Sequence, residues 1–200
     1  MQLPFQKRAY TSIVEERHFL LGRYRVCRLN LLAVTAFTLL NVAILVFGAD
    51  FYLLFSATIP YFLVLFGLLF CGKMSPEIYN QIYGESATVK ILPDAVLYVA
   101  ITLALLITLL YLLCFFLSDH RRSAWLKVAA VLFTLDTIGM FFVSGFSSNM
   151  MLDLIFHVWV LYYLFAGIKA EKRLRVIDRK IAEQKEAAAN GTTNENTVDL

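Results

Sequence analysis

Three ionisable residues lie in stretches that are otherwise almost entirely apolar: Asp136, Asp153 and His157. A carboxylate beside an imidazole can hold or pass a proton, because histidine titrates near neutral pH and a neighbouring negative charge favours its charged form. Two acids and an imidazole are also ligand types for a metal ion. Asp153 precedes His157 by four residues, so a helix would place both on one face, one turn apart. Asp136 belongs to the preceding apolar run, and only the short polar turn 144–149 separates the two runs. Elements joined so tightly should be antiparallel neighbours, which brings Asp136 and His157 to similar depth.

Three roles compete for this trio. The plainest is an Asp136–His157 contact holding two helices together, an interaction that contributes about 0.6–2 kcal/mol between helices in lipid. The second is a proton- or ion-binding position in a transporter. The third is a metal site, which lacks a fourth ligand and any established ligand spacing. The structural contact is the favoured reading, and no metal or cofactor is expected. A phosphate-binding loop, a zinc-protease motif, a dinucleotide fingerprint and a nucleophile elbow are all missing, so the sequence does not point to an enzyme.

The elements that must position these residues are read from composition. The chain has 200 residues, 60% hydrophobic and 16% charged, whereas a soluble domain is nearer ~45–50% and ~25%. No charged residue occurs in 29–49, 51–72, 95–118 or 128–135. Crossing a hydrocarbon layer ~30 Å thick takes ~20 apolar helical residues. Five membrane helices are therefore expected, over 29–48, 51–71, 93–117, 124–143 and 150–168. The fold class is all-α, a polytopic transmembrane helical bundle. Pro60 falls near the middle of the second run, where it should kink or break the helix.

Charge decides how many runs cross. If all five do, eight of the 18 Lys and Arg residues lie on one side and ten on the other. If the second run enters and leaves on one side, sixteen fall together and only Lys73 and Lys90 fall opposite. The second arrangement obeys the positive-inside rule. Four crossings are favoured, with both termini cytoplasmic in a cell membrane and the second run re-entrant or interfacial; five crossings is the alternative. A re-entrant backbone requires protein groups to satisfy its N–H and C=O groups, and four helices are few for that task.

Four regions follow. Residues 1–28 form a basic, partly amphipathic leader, residues 29–168 the transmembrane domain, residues 169–189 an amphipathic cytoplasmic helix and residues 190–200 a disordered tail. Ser75-Pro76-Glu77 marks the start of a short surface helix near 76–83. Trp159 is too deep for an interfacial belt and should pack between helices. The basic residues flank apolar runs, so the expected partners are the lipid bilayer and a membrane-protein partner or a second copy of the chain, not nucleic acid. The three cysteines, Cys27, Cys71 and Cys114, form no disulfide or zinc pattern.

Two segments, Asp50-Phe51-Tyr52-Leu53-Leu54-Phe55-Ser56-Ala57-Thr58-Ile59-Pro60-Tyr61-Phe62 and Asp153-Leu154-Ile155-Phe156-His157-Val158-Trp159-Val160-Leu161-Tyr162-Tyr163, resemble parts of small uncharacterised multi-pass membrane proteins of Gram-positive bacteria. The resemblance extends over roughly 29–170 and implies a bacterial cell membrane, but no activity. The function that best fits is a non-enzymatic membrane component acting through a partner or self-association. The alternative is a small-solute or proton-coupled transporter subunit using Asp136 and His157.

Overall fold

The computed structural model describes residues 12–48, 51–74, 92–144 and 148–195. The helix expected near 76–83 lies outside them. The described residues form helices and no strand. In chain order these are α1 (Ile13–Val46), α2 (Thr58–Phe70), α3 (Asp94–Leu117), a 3-10 turn (Asp119–Arg121), α4 (Ser123–Ser144) and α5 (Ser148–Glu195). Four of them, α1, α3, α4 and α5, are long and apolar enough to cross a membrane. Helix α2, with 13 residues, is only about 20 Å long and falls short of a ~30 Å hydrocarbon layer.

Local signals set the helix starts. The Ser12 side chain accepts from the Glu15 N–H, and Glu15 and Glu16 occupy the first turn of α1, where its dipole favours negative charge. Pro93 stands before α3 and Asp94 opens it. Helix α2 ends in a Schellman turn: Gly72 has φ +67°, its N–H bonds to the Leu69 carbonyl, and the Lys73 N–H reaches the Leu68 carbonyl.

The four long helices alternate in direction around a common core. Leu31 and Val34 of α1, Tyr111 and Cys114 of α3, Leu126 and Phe133 of α4, and Val160 and Leu164 of α5 fill it. Their outer faces stay apolar: Leu40, Leu106, Val131, Phe142 and Ile155 are exposed. A protein surrounded by water rarely presents so continuous an apolar surface, and lipid would cover it.

Segment 51–57 and α2 enter the bundle and leave it by the same end. The chain runs inward from Phe51 to Thr58, which lies against the middle of α4 through Asp136. Helix α2 then returns toward the start of α3. There Leu92 N–H bonds to the Phe70 carbonyl, the Cys71 thiol to the Pro93 carbonyl, and Lys73 pairs with Asp94 at 3.2 Å. Val64 and Leu68 of α2 pack against Val42 of α1 and Ala104 of α3. Close approach is possible because Gly67 faces Ala100; a Cβ on Gly67 would lie 2.9 Å from the Ala100 Cβ.

Several expectations are refined. Pro60 does not kink a longer helix: it is the third residue of α2, and the irregular segment before it makes the break. A proline fits there because the first turn of a helix has N–H groups with no partner inside the helix. Residues 13–28 are not a separate surface helix but the first half of α1. Residues 169–189 likewise continue α5, which runs on to Glu195, into the segment whose composition suggested disorder. Leu20 of α1 packs there against Ala170, Leu174 and Ile177 of α5, forming a two-helix stalk at the basic end. Trp159 is 50% exposed and lies beside Tyr163 on the outer face, so it does not pack between helices.

Candidate functional site

The re-entrant backbone needs hydrogen-bond partners, and α2 has none at its own start, since its N-cap is Ala57. Side chains from two other helices supply them. Thr38 of α1 accepts from the Ala57 N–H at 2.8 Å through Oγ1, while donating to the Val34 carbonyl. Asp136 of α4 accepts from Thr58 N–H on Oδ2 and from Ile59 N–H on Oδ1, each at 2.8 Å. Pro60 has no N–H to satisfy. Asp136 thus caps a helix to which it does not belong, and its charge faces the positive end of the α2 dipole. Asn41 performs the same service upstream. Its side chain accepts from Leu53 N–H and donates to the Leu53 carbonyl, and its amide also reaches Ser56 Oγ at 2.8 Å.

His157 of α5 completes the arrangement. Its Nε2 is 3.1 Å from Asp136 Oδ2 and 3.1 Å from Thr58 Oγ1, and its Nδ1 is 2.8 Å from the Asp153 carbonyl. A carbonyl only accepts, so Nδ1 donates to it. Nε2 then lies within hydrogen-bond distance of both the Asp136 carboxyl and the Thr58 hydroxyl, and the hydroxyl can donate to it. Phe133 covers the imidazole face, with ring centroids 4.9 Å apart and planes at 22°.

Asp136 is 1% exposed and His157 2%. The structure therefore joins two of the three expected ionisable residues. Asp153 contributes its backbone carbonyl, and its half-buried side chain stands apart from the pair. No group of three His, Cys, Asp or Glu side chains among the described residues could hold a metal ion. Thr38, Asn41, Ser56 and Thr58 belong to the site too, yet in the sequence they look like ordinary intramembrane polar residues. The available signal was position: Ser56 and Thr58 lie within the charge-free run that proline interrupts, and Thr38 and Asn41 in the charge-free run before it.

The turn holding this backbone is strained. Phe55 adopts φ +74°, a region unfavourable to a side chain with a Cβ. Edge-on contacts with Phe37 at 6.1 Å and Phe156 at 5.9 Å hold it there.

A second cluster of polar contacts lies at the basic end, below the apolar spans. Arg28 of α1 bonds to Asp119 at 2.6 Å, to Ser118 Oγ and to the Phe115 carbonyl. The buried Tyr24 hydroxyl donates to the Ser118 carbonyl at 2.7 Å. On the stalk, Asp178 of α5 pairs with both Arg17 of α1 and Arg121 of the turn, and Glu16 pairs with Arg173. Buried Glu171 accepts from the Ser123 hydroxyl and pairs with Arg175. Partial burial pushes the Asp178 carboxyl up, but the Arg17 and Arg121 guanidiniums outweigh it and hold the group below the usual carboxylate range.

Compared with known proteins, the chain matches no family model, no curated protein and no solved structure.

Proposed function

We propose that this chain is a non-enzymatic multi-pass membrane protein that acts through a partner, with Asp136 and His157 serving as the internal lock that seats its re-entrant helix. In this reading α1, α3, α4 and α5 cross a cell membrane, α2 enters from the outer face, and both termini are cytoplasmic. The observation that carries it is the closure of the site. Both Asp136 oxygens and both His157 ring nitrogens are engaged by protein groups, and neither residue is open to water. A transport or catalytic carboxylate needs access; a lock does not. The cytoplasmic stalk is the part available to a partner, since α5 continues past the start of α1 with exposed Lys180, Glu183, Lys185 and Glu186. Positive charge at that end supports the orientation. The segments 50–62 and 153–163, whose resemblance to small multi-pass proteins of Gram-positive bacteria is part of this reading, contribute Thr58, Ile59 and His157 to the lock.

Two experiments test the proposal. Lys73→Cys should react with a membrane-impermeant maleimide from outside intact cells, while Ser12→Cys and Lys180→Cys should react only after lysis; labelling of Lys180→Cys from outside would refute the orientation. Photo-crosslinkers at Lys172 and Arg179 should capture one defined protein in intact membranes, and ending the chain after Ile181 should weaken that capture without unfolding the bundle. A chain that crosslinks to nothing, its own copy included, would refute action through a partner.

A proton-coupled transporter subunit is the second reading. The feature favouring it is a half-helix whose N-terminus faces a protonatable pair inside the bundle, an arrangement used for ion coupling in broken-helix transporters. It requires that purified protein in vesicles carry a proton or solute flux that Asp136→Asn abolishes.

A further inference from the structure

We infer that the basic end of the bundle contains a binding site for a phosphate oxyanion, in the cleft between the first half of α1 and the 3-10 turn after α3. The cleft measures ≈ 540 Å³, and its lining includes His18, Tyr24, Arg25, Arg28, Asp119 and Arg121. Three guanidiniums thus face one carboxylate. Their commitments differ. Arg28 gives three of its five N–H donors to Asp119, Ser118 and Phe115, and it adds positive field to the cleft. Arg121 shares its guanidinium with Asp178, which stands on α5 behind the cleft. Arg25 is exposed and makes no hydrogen bond or ion pair among the described residues. Its planar fork of donors matches a phosphate.

The backbone holds this arrangement open. Arg121 adopts φ +63°, and its bond to Asp178 fixes the side chain beside the cleft. Tyr24 donates to the Ser118 carbonyl, tying α1 to the end of α3 and forming the floor. The depth suits a lipid headgroup. Helix α3 ends at Leu117, α4 begins at Ser123, and the charge-free stretch of α1 begins after Arg28. The cleft therefore lies where the apolar spans end, the level of headgroup phosphates, and basic pockets at that level bind anionic lipids. A free phosphate group presents the same oxyanion. The depth argument rests on the membrane reading above, whereas the arginine geometry does not.

The test uses the full chain in a neutral detergent, with bound molecules counted by native mass spectrometry. Phosphatidylglycerol, phosphatidylcholine and inorganic phosphate are the probes. One phosphatidylglycerol should be retained per chain where phosphatidylcholine is not. Arg25→Gln should weaken this about tenfold, as loss of a charge-assisted bidentate contact does. Arg25→Lys should weaken it less. Arg122→Gln, at the same depth but not lining the cleft, should leave it unchanged. If inorganic phosphate binds with the same dependence on Arg25 and the lipid does not, the oxyanion site stands and its source is soluble. If Arg122→Gln weakens binding as much as Arg25→Gln, attraction is diffuse and the site is refuted. Binding of neither anion to a chain with an unchanged melting transition also refutes it. Neither result bears on the maleimide labelling that tests orientation.

Discussion

Asp136 joins three groups at once, so its replacement should be costly and strongly coupled to His157. In Asp136→Asn one oxygen becomes an NH2. Placed at Oδ1, that NH2 faces the Ile59 N–H; placed at Oδ2, it faces the Thr58 N–H. Either way one buried backbone N–H loses its acceptor, which costs about 1–3 kcal/mol. Asp136→Ala orphans both N–H groups and the imidazole, and removal of one partner from a buried pair costs about 3–5 kcal/mol. His157→Ala leaves the cap in place and should cost less than Asp136→Ala. In the double variant no imidazole remains to be orphaned by loss of Asp136. The double loss should therefore fall short of the summed single losses by about 0.5–2 kcal/mol, the range for residues in one hydrogen-bond network and for contacts between membrane helices. The assay is reversible unfolding in mixed micelles, followed by helix circular dichroism across an SDS titration. Additivity within about 0.3–0.5 kcal/mol would mean no coupling and would sink the Asp136–His157 contact. An Asp136→Asn variant as stable as the parent would sink the capping role.

Asn41→Leu should destabilise by about 2–4 kcal/mol, because it orphans both the N–H and the C=O of Leu53, and the same titration measures it. Gly67→Val should cost about 1–3 kcal/mol by overpacking against Ala100 and Leu97, with Gly22→Ala, which meets nothing within 4 Å, as the contrasting control. Asp178 predicts a pH dependence. Its folded pKa lies below the usual carboxylate range, so its stabilisation is present above the unfolded value and is lost as pH falls through the folded one. Asp178→Asn should accordingly flatten the acid side of the melting-temperature curve below about pH 4, and an unaltered curve would show that Arg17 and Arg121 do not hold the group.

The sequence carried the helices and the pair, but not the reason for the pair. Long charge-free runs favour helices in lipid, so α1, α3, α4 and α5 were legible from composition. The short turn 144–149 placed Asp136 level with His157. What stayed hidden was the third party. Nothing in local patterning says that Asp136 caps a helix starting 78 residues earlier, because capping rules concern neighbours in sequence and this cap comes from another element. Pro60 pointed to the right place, and of the kink or break expected there the structure has the break: the helix begins around it. The stalk was missed for a related reason. The leader and the tail look like separate amphipathic segments until Leu20 is seen to meet Leu174 and Ile177.

The physical objection to a re-entrant segment was that four helices could not cover its backbone. The structure answers with side chains rather than with more helices. The N–H groups at the start of α2 are the costliest, since a helix leaves its first donors without internal partners. Thr38 takes Ala57, Asp136 takes Thr58 and Ile59, and Pro60 has no donor to satisfy. Upstream, Asn41 pairs with both polar groups of Leu53, as a neighbouring strand would. Three side chains and one proline therefore do the work of an enclosing wall. The buried Asp136 carboxyl among them needs its acceptor positions filled, and His157 Nε2 stands 3.1 Å from its Oδ2. It follows that the imidazole serves the cap, and the cap serves the fold. When α2 leaves its seat, His157 should lose the Thr58 hydroxyl and Asp136 its two backbone donors, so the pair should be disturbed by undocking of a helix to which neither belongs.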